Sequence, residues 1–198
     1  MISDAYREFL QNKHKHDIAK NRRWGSSGLR YSGEWIRWVM DKYPDIQTVL
    51  DFGAGHGTLS EIGGAEWTNY DPGIPGIDVL PTGQFDLVVS TDCLEHVEPD
   101  LLSDTIREIG ALSRRYIALD IPNEGTGTKF VTGPYRGCDE HLTVEAPMWW
   151  AGWCGAILDD FTLLKFNDRK VLLKGRKRQR VKLLYERDIH TDDSPLRV

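Results

Sequence analysis

Between Thr48 and Ser60 the sequence reads TVLDFGAGHGTLS, with an acid, Asp51, two residues ahead of the first of three alternate glycines, Gly53, Gly55 and Gly57. Glycine permits positive φ in a tight turn and has no Cβ to hold a ligand off the backbone, so such a turn offers N–H groups to whatever binds above the strand. A dinucleotide-binding turn needs G-x-G-x-x-G, and Thr58 stands where its third glycine belongs. A carboxylate placed as Asp51 is suits a cationic ligand group better than a pyrophosphate. A second acid, Asp71, follows 20 residues after Asp51. An acid at the end of a second strand accepts hydrogen bonds from a pair of ribose hydroxyls; it equally suits the first position of the turn Asp71-Pro72-Gly73. Two histidines complete the set. His96 is a candidate general base, with an ordinary pKa near 6.5, or else a residue that opens a helix and orients its loop. His141 is a candidate for the acceptor side of the site, with Trp149 and Trp150 near it as either pocket wall or core. Spacing yields no metal set: His14 and His16, two apart in a helical stretch, do not share a face.

These residues need strands that end beside one another. Residues 46–52 and 66–71 read as strands, and the FDLVVS run at 85–90, apolar and bounded by turn signals, reads as a buried parallel strand. Residues 3–20 read as a helix with Ser3 as its cap, and a second helix runs from Ser32 to Pro44 with Trp35, Ile36, Val39 and Met40 at helical spacing. A short helix follows Gly57. An amphipathic helix covers 99–113, with Arg114 and Arg115 placed to favour its C-terminal dipole. A strand at 116–121, a long glycine-containing loop at 122–137, a helix through Pro147, and strand-like runs at 161–166, 171–174 and 181–185 complete the chain. The expected fold is α/β: a Rossmann-like, mostly parallel, seven-stranded sheet with helices on both faces and a C-terminal antiparallel hairpin. Its parts are an N-terminal helix and loop (1–30), a single domain (31–190) and a tail (191–198).

The D-x-G-x-G-x-G turn resembles the first motif of the class I S-adenosylmethionine (SAM) dependent methyltransferases. F-D-L-V-V-x-x-x-x-L-E-H-V, from Phe85 to Val97, is a second signature of that family. The chain is also similar to a group of bacterial and phage methyltransferase-like proteins through YDPGIPG (Tyr70–Gly76), TDCLEH (Thr91–His96), and the His141-Leu142 pair followed by Pro147, Trp149 and Trp150. The resemblance implies SAM as cofactor. It places Asp51, Gly53, Ala54, Gly55 and Gly57 around the methionine end, Asp71 and Pro72 at the ribose, Asp78 and Val79 at the adenine, and Thr91 and Asp92 below the methyl group. The marks of two nucleic-acid methylating classes are missing: no [DNS]-P-P-[YF] follows the strand at 85–90, and Cys93 is preceded by Asp92 rather than by proline.

Composition sets the bounds. A chain of 198 residues suits one domain with a full core. Three cysteines without C-x-x-C spacing point to a reducing compartment. A polar start without a signal-peptide pattern, and no apolar run of about 20 residues, point to a cytoplasmic protein. Net charge is −5, yet Arg169, Lys170, Lys174, Arg176, Lys177, Arg178 and Arg180 crowd a short segment. That segment fits either a solvated sheet edge or a nucleic-acid contact, and the latter would make the chain a non-catalytic binding module.

Overall fold

A computed structural model describes residues 2–19, 28–158, 161–166 and 170–175. The elements run α1 (Asp4–Ala19), α2 (Gly28–Lys42), β1 (Thr48–Phe52), a 3-10 turn (Thr58–Ile62), β2 (Glu66–Tyr70), β3 (Phe85–Thr91), α3 (Pro99–Leu112), β4 (Ser113–Asp120), α4 (Pro147–Ile157), β5 (Phe161–Phe166) and β6 (Lys170–Gly175). The six strands form one sheet in the order β2-β1-β3-β4-β6-β5. β1 to β4 are parallel. β6 runs antiparallel to both β4 and β5, so the C-terminal hairpin folds back and inserts its second strand beside β4.

Alternate residues of the buried strands face opposite sides, as the two-residue period requires. Leu50, Val88, Ile117 and Leu173 pack with Leu102, Ile106 and Ile109 of α3 and Trp150 and Cys154 of α4. Val49, Leu87, Val89, Ala118 and Leu172 pack with Ile36 and Val39 of α2 and Leu59 of the 3-10 turn. Helices therefore cover both faces, as expected. A third cluster sits over the end of the sheet. Ile2, Tyr6 and Leu10 join Phe130, with Tyr135 and Leu142 beside them, so α1 docks on the long loop after β4.

Several expectations need correction. Among the described residues the sheet has six strands rather than seven; the run at 181–185 lies outside them. Residues 71–84 form no strand, as expected where glycine and proline are too frequent to sustain a ladder. α2 starts at Gly28, so residues 28–31 are helical and not loop. Arg114 and Arg115 lie in β4 and not at a helix end; they pair with Asp86 (3.0 Å) and Asp45 (2.6 Å) on neighbouring segments. Trp150 is core, and Trp149 packs against that core.

Candidate functional site

From β1 the chain moves outward to β2, then returns past β1 to β3. Strand order thus reverses between β1 and β3, and open α/β sheets bind ligands at the carboxyl ends beside such a reversal. Two adjoining spaces open there. The larger, about 150 Å³, is walled by Gly53, Gly55, Asp71 and Pro72 on one side and by Asp92, Cys93, His96 and Val97 on the other. The smaller, about 30 Å³, lies among Gly28, Asp51, Ala54, Thr58 and Thr91. Gly53 and Asp92 border both.

The glycine turn takes the strained conformations its sequence predicted, with φ of 81° at Gly53, 54° at Gly55 and 70° at Gly57. Gly53 and Ala54 N–H groups donate to the Tyr70 carbonyl, at 2.8 and 3.0 Å, which ties the turn to the end of β2. Gly57 has a different role from its neighbours. It caps the 3-10 turn beside Asn69 and borders neither space.

Asp51 is 2 % exposed, and its Oδ1 has no hydrogen-bond partner among the described residues. Burial, followed by the charge of Asp71, pushes its carboxyl up to about 7. A buried, unsatisfied carboxylate oxygen is costly, and the arrangement is relieved by a cationic donor entering the smaller space.

Asp71 accepts from Gly55 N–H through Oδ2 and from Gly73 N–H through Oδ1, both at 2.8 Å. Asp71 organises its own turn, and it borders the cavity. Burial raises its pKa, and the two N–H donors and His56 pull against that rise. Asp71→Asn retains one acceptor oxygen and should lose one charge-assisted bond, destabilising the fold by about 1.5–3 kcal/mol. Urea unfolding of the variant checks this; an unchanged midpoint would show that the Asp71 carboxylate does not hold the turn.

Ile2 and, from α1, Tyr6, Leu10 and His14 roof the cavity, none of which the sequence marked as site residues. Ser3 caps the helix, its Oγ accepting from Tyr6 N–H at 3.3 Å. Ser3 also donates from N and Oγ to the Glu98 carboxylate, both at 2.6 Å, and Tyr135 donates to the same carboxylate at 2.7 Å. Glu98 thus clamps the roof helix and the long loop to the start of α3. No local pattern announces this, because its two partners, Ser3 and Tyr135, are far from it in sequence.

β3 ends in a turn of its own. Asp92 has φ 47°, rare outside glycine though tolerated by aspartate, and its N–H donates to the Asp120 carbonyl (3.0 Å). The turn carries Glu95 and His96 inward. Glu95 is fully buried, and Oε1 lies 3.8 Å from Nε2 of both His96 and His141. His96 Nδ1 sits 2.7 Å from the Glu140 carbonyl, and His141 Nδ1 sits 2.6 Å from that of Glu124. A carbonyl only accepts, so each Nδ1 carries the hydrogen. Burial above all pushes His96 down to about 4, which leaves it neutral near pH 7 and a weak general base. The two histidines named singly from the sequence therefore meet at one carboxylate. Glu95, 46 residues before His141, was not recognised as their partner.

The remaining candidates stand apart. Asp78 accepts from Gly76 N–H (3.1 Å) and Gln11 Nε2 (3.3 Å), and Val79 is 83 % exposed; neither borders the cavity. Of the basic residues, Lys170 reaches Asp120 (3.7 Å) and the Trp35 ring, and Lys174 lies over the Tyr116 ring. Arg169, Arg176, Lys177, Arg178 and Arg180 lie outside the described residues. No helix among the described residues is long and apolar enough to cross a membrane.

No family model matches the chain, and no curated protein does. Solved structures do. The chain is similar to the 1,6-didemethyltoxoflavin-N1-methyltransferase of Burkholderia thailandensis, solved with 1,6-didemethyltoxoflavin and S-adenosylhomocysteine (SAH): 16 % identity, TM-score 0.59, covering 88 % of this chain and 90 % of that one. It is similar to DhpI in complex with SAH, at 12 % identity and TM-score 0.57, covering 88 % and 98 %. Magnesium protoporphyrin IX methyltransferase of Synechocystis, with bound SAH, gives 14 % identity and TM-score 0.55 over 75 % and 84 %. At these identities the likeness is one of architecture, and the chain has the fold of these SAM-dependent methyltransferases.

Proposed function

We propose that the protein is a SAM-dependent methyltransferase (EC 2.1.1.-) acting on a small-molecule acceptor. The observation that carries this reading is the buried Asp51 Oδ1, without a hydrogen-bond partner among the described residues, on a residue that lines a space beside the Gly53–Gly55 turn. An α-amino group fits it in charge and in size. In this reading Asp51, Gly53, Ala54, Thr91 and Asp92 hold the methionine end, and Gly55, Asp71 and Pro72 border the ribose. The apolar wall that includes Val97 takes the base, with Asp78 and Val79 as candidates for its outer edge. When bound, SAM supplies an already activated methyl group, so the chain's part is to orient it, fix the acceptor and exclude water. The roof formed by α1 suits the last of these tasks. The toxoflavin-precursor enzyme with its acceptor bound supports a small molecule as the substrate class.

Calorimetric titration with SAH, beside NAD, tests the reading. Micromolar binding of SAH with none of NAD is the expected result; NAD binding with no SAH binding would overturn it. Gly55→Val should abolish SAH binding, because it places a branched side chain at φ 54° on the cavity wall. Undiminished affinity in that variant would remove the turn from the cofactor site.

A further inference from the structure

We propose that Glu95, His96 and His141 bind a divalent transition-metal ion at the edge of the cavity. The three side chains bring one carboxylate oxygen and two imidazole nitrogens within 4.8 Å of one another. Both Nε2 atoms stand 3.8 Å from the same Oε1. Metal bonds from such donors are about 2.0–2.2 Å, so two donors on one ion stand at most about 4.4 Å apart. Sub-ångström adjustment of the side chains closes the set around a single ion.

The surroundings match what metal-binding histidines require. A histidine that ligates through Nε2 donates its other N–H to a carbonyl or carboxylate, which fixes tautomer and ring orientation. Here both Nδ1 groups donate to main-chain carbonyls, Glu140 for His96 and Glu124 for His141. The three converging atoms then all present lone pairs toward one another, the donor set a divalent ion takes. The rings meet edge to face with centroids 4.9 Å apart, leaving both Nε2 atoms on the carboxylate.

The scaffold is rigid where it needs to be. Asp139 accepts from Thr126 and Gly127 N–H groups at 3.1 Å and from His141 N–H at 2.8 Å, which holds His141 on an ordered loop. Thr143 N–H donates to the Glu95 carbonyl at 3.0 Å, locking that loop onto the turn after β3.

Two histidines and one carboxylate leave coordination positions open, as catalytic zinc and non-haem iron sites do. Imidazole donors favour zinc, iron, cobalt or nickel over magnesium or calcium. His96 borders the cavity, so an ion held by this set lies beside it. An acceptor hydroxyl bound to the ion would release its proton to solvent at a lower pH. That role rests on the methyltransferase reading; the binding of the ion does not.

The test is titration of the chelator-treated full chain with Co²⁺, without SAH, followed by visible absorption and calorimetry. One equivalent should bind with a visible d–d band that Zn²⁺ abolishes. Glu95→Gln and His141→Ala should each weaken binding at least as much as loss of an outer-shell partner does, about 10–100-fold. Sub-stoichiometric binding by the parent, or undiminished binding in a His141→Ala variant with native circular dichroism, would overturn the proposal. The latter result would assign the ion to surface histidines. Should Glu95→Gln not fold, His141→Ala decides alone. SAH titration of the same samples separates the two readings: SAH binding without cobalt binding removes the metal and leaves the cofactor site standing.

Discussion

Asp51→Asn is expected to weaken SAH binding by about 10–150-fold and to make the protein more stable above pH 7. The first effect is the loss of one charge-assisted contact, about 1.5–3 kcal/mol. The second follows from proton linkage. The carboxyl is raised from 3.8 to about 7 in the folded protein, so folding takes up a proton between about pH 4 and pH 7. Stability from this group is therefore lost as pH rises through that window, and above it the folded state carries the full cost of an ionised buried carboxylate. A rise of that size corresponds to roughly 4 kcal/mol. Asparagine removes the charge but brings an amide N–H₂ that also needs a partner, so the net gain is about 1–3 kcal/mol. Urea midpoints at pH 5 and pH 8 check it: the variant's advantage should grow with pH. In the parent, binding a cation beside Asp51 lowers its pKa, so SAH binding near pH 7 should release a proton. Calorimetry in two buffers of different ionisation enthalpy reads that release. A variant that binds as the parent does, or an advantage that ignores pH, would take Asp51 out of the site.

The same residues show how far sequence carries the argument. The glycine turn was legible because its cause is local: a strand pattern, an acid, and glycines at the positions that adopt positive φ. β3 was legible for the same reason, as a bounded apolar run. What failed was non-local. The insertion of β6 beside β4 depends on pairing between segments some 50 residues apart. The roof over the cavity depends on Tyr6 meeting Phe130 and Tyr135, and on Glu98 binding both Ser3 and Tyr135. His96 and His141 were each marked for chemistry, but only folding places both on Glu95. Val79 was placed by a motif, which gives sequence order and not exposure, and the chain turns that side chain outward.

Gly53→Ala is the second large effect, and it tests whether the two turns at the strand ends are built against each other. Gly53 has φ 81°, and a Cβ there would overlap the Sγ and Cβ atoms of Cys93. The backbone conformation alone costs an L-residue about 1–2 kcal/mol, and forced overpacking adds about 1–3 kcal/mol. A loss of about 2–5 kcal/mol in urea unfolding is therefore expected. Cys93 has little room to yield. Its Cβ as well as its Sγ is in the way, and it follows Asp92, itself held at φ 47° on the border of the cavity. SAH affinity should fall together with stability. Cys93→Gly removes both clashing atoms and should restore the packing part of the loss but not the conformational part. The double-mutant cycle should then show a coupling of about 1–3 kcal/mol. Strict additivity would mean that the turns after β1 and β3 do not touch through this pair, and the shared border of the two spaces would have to be formed in some other way.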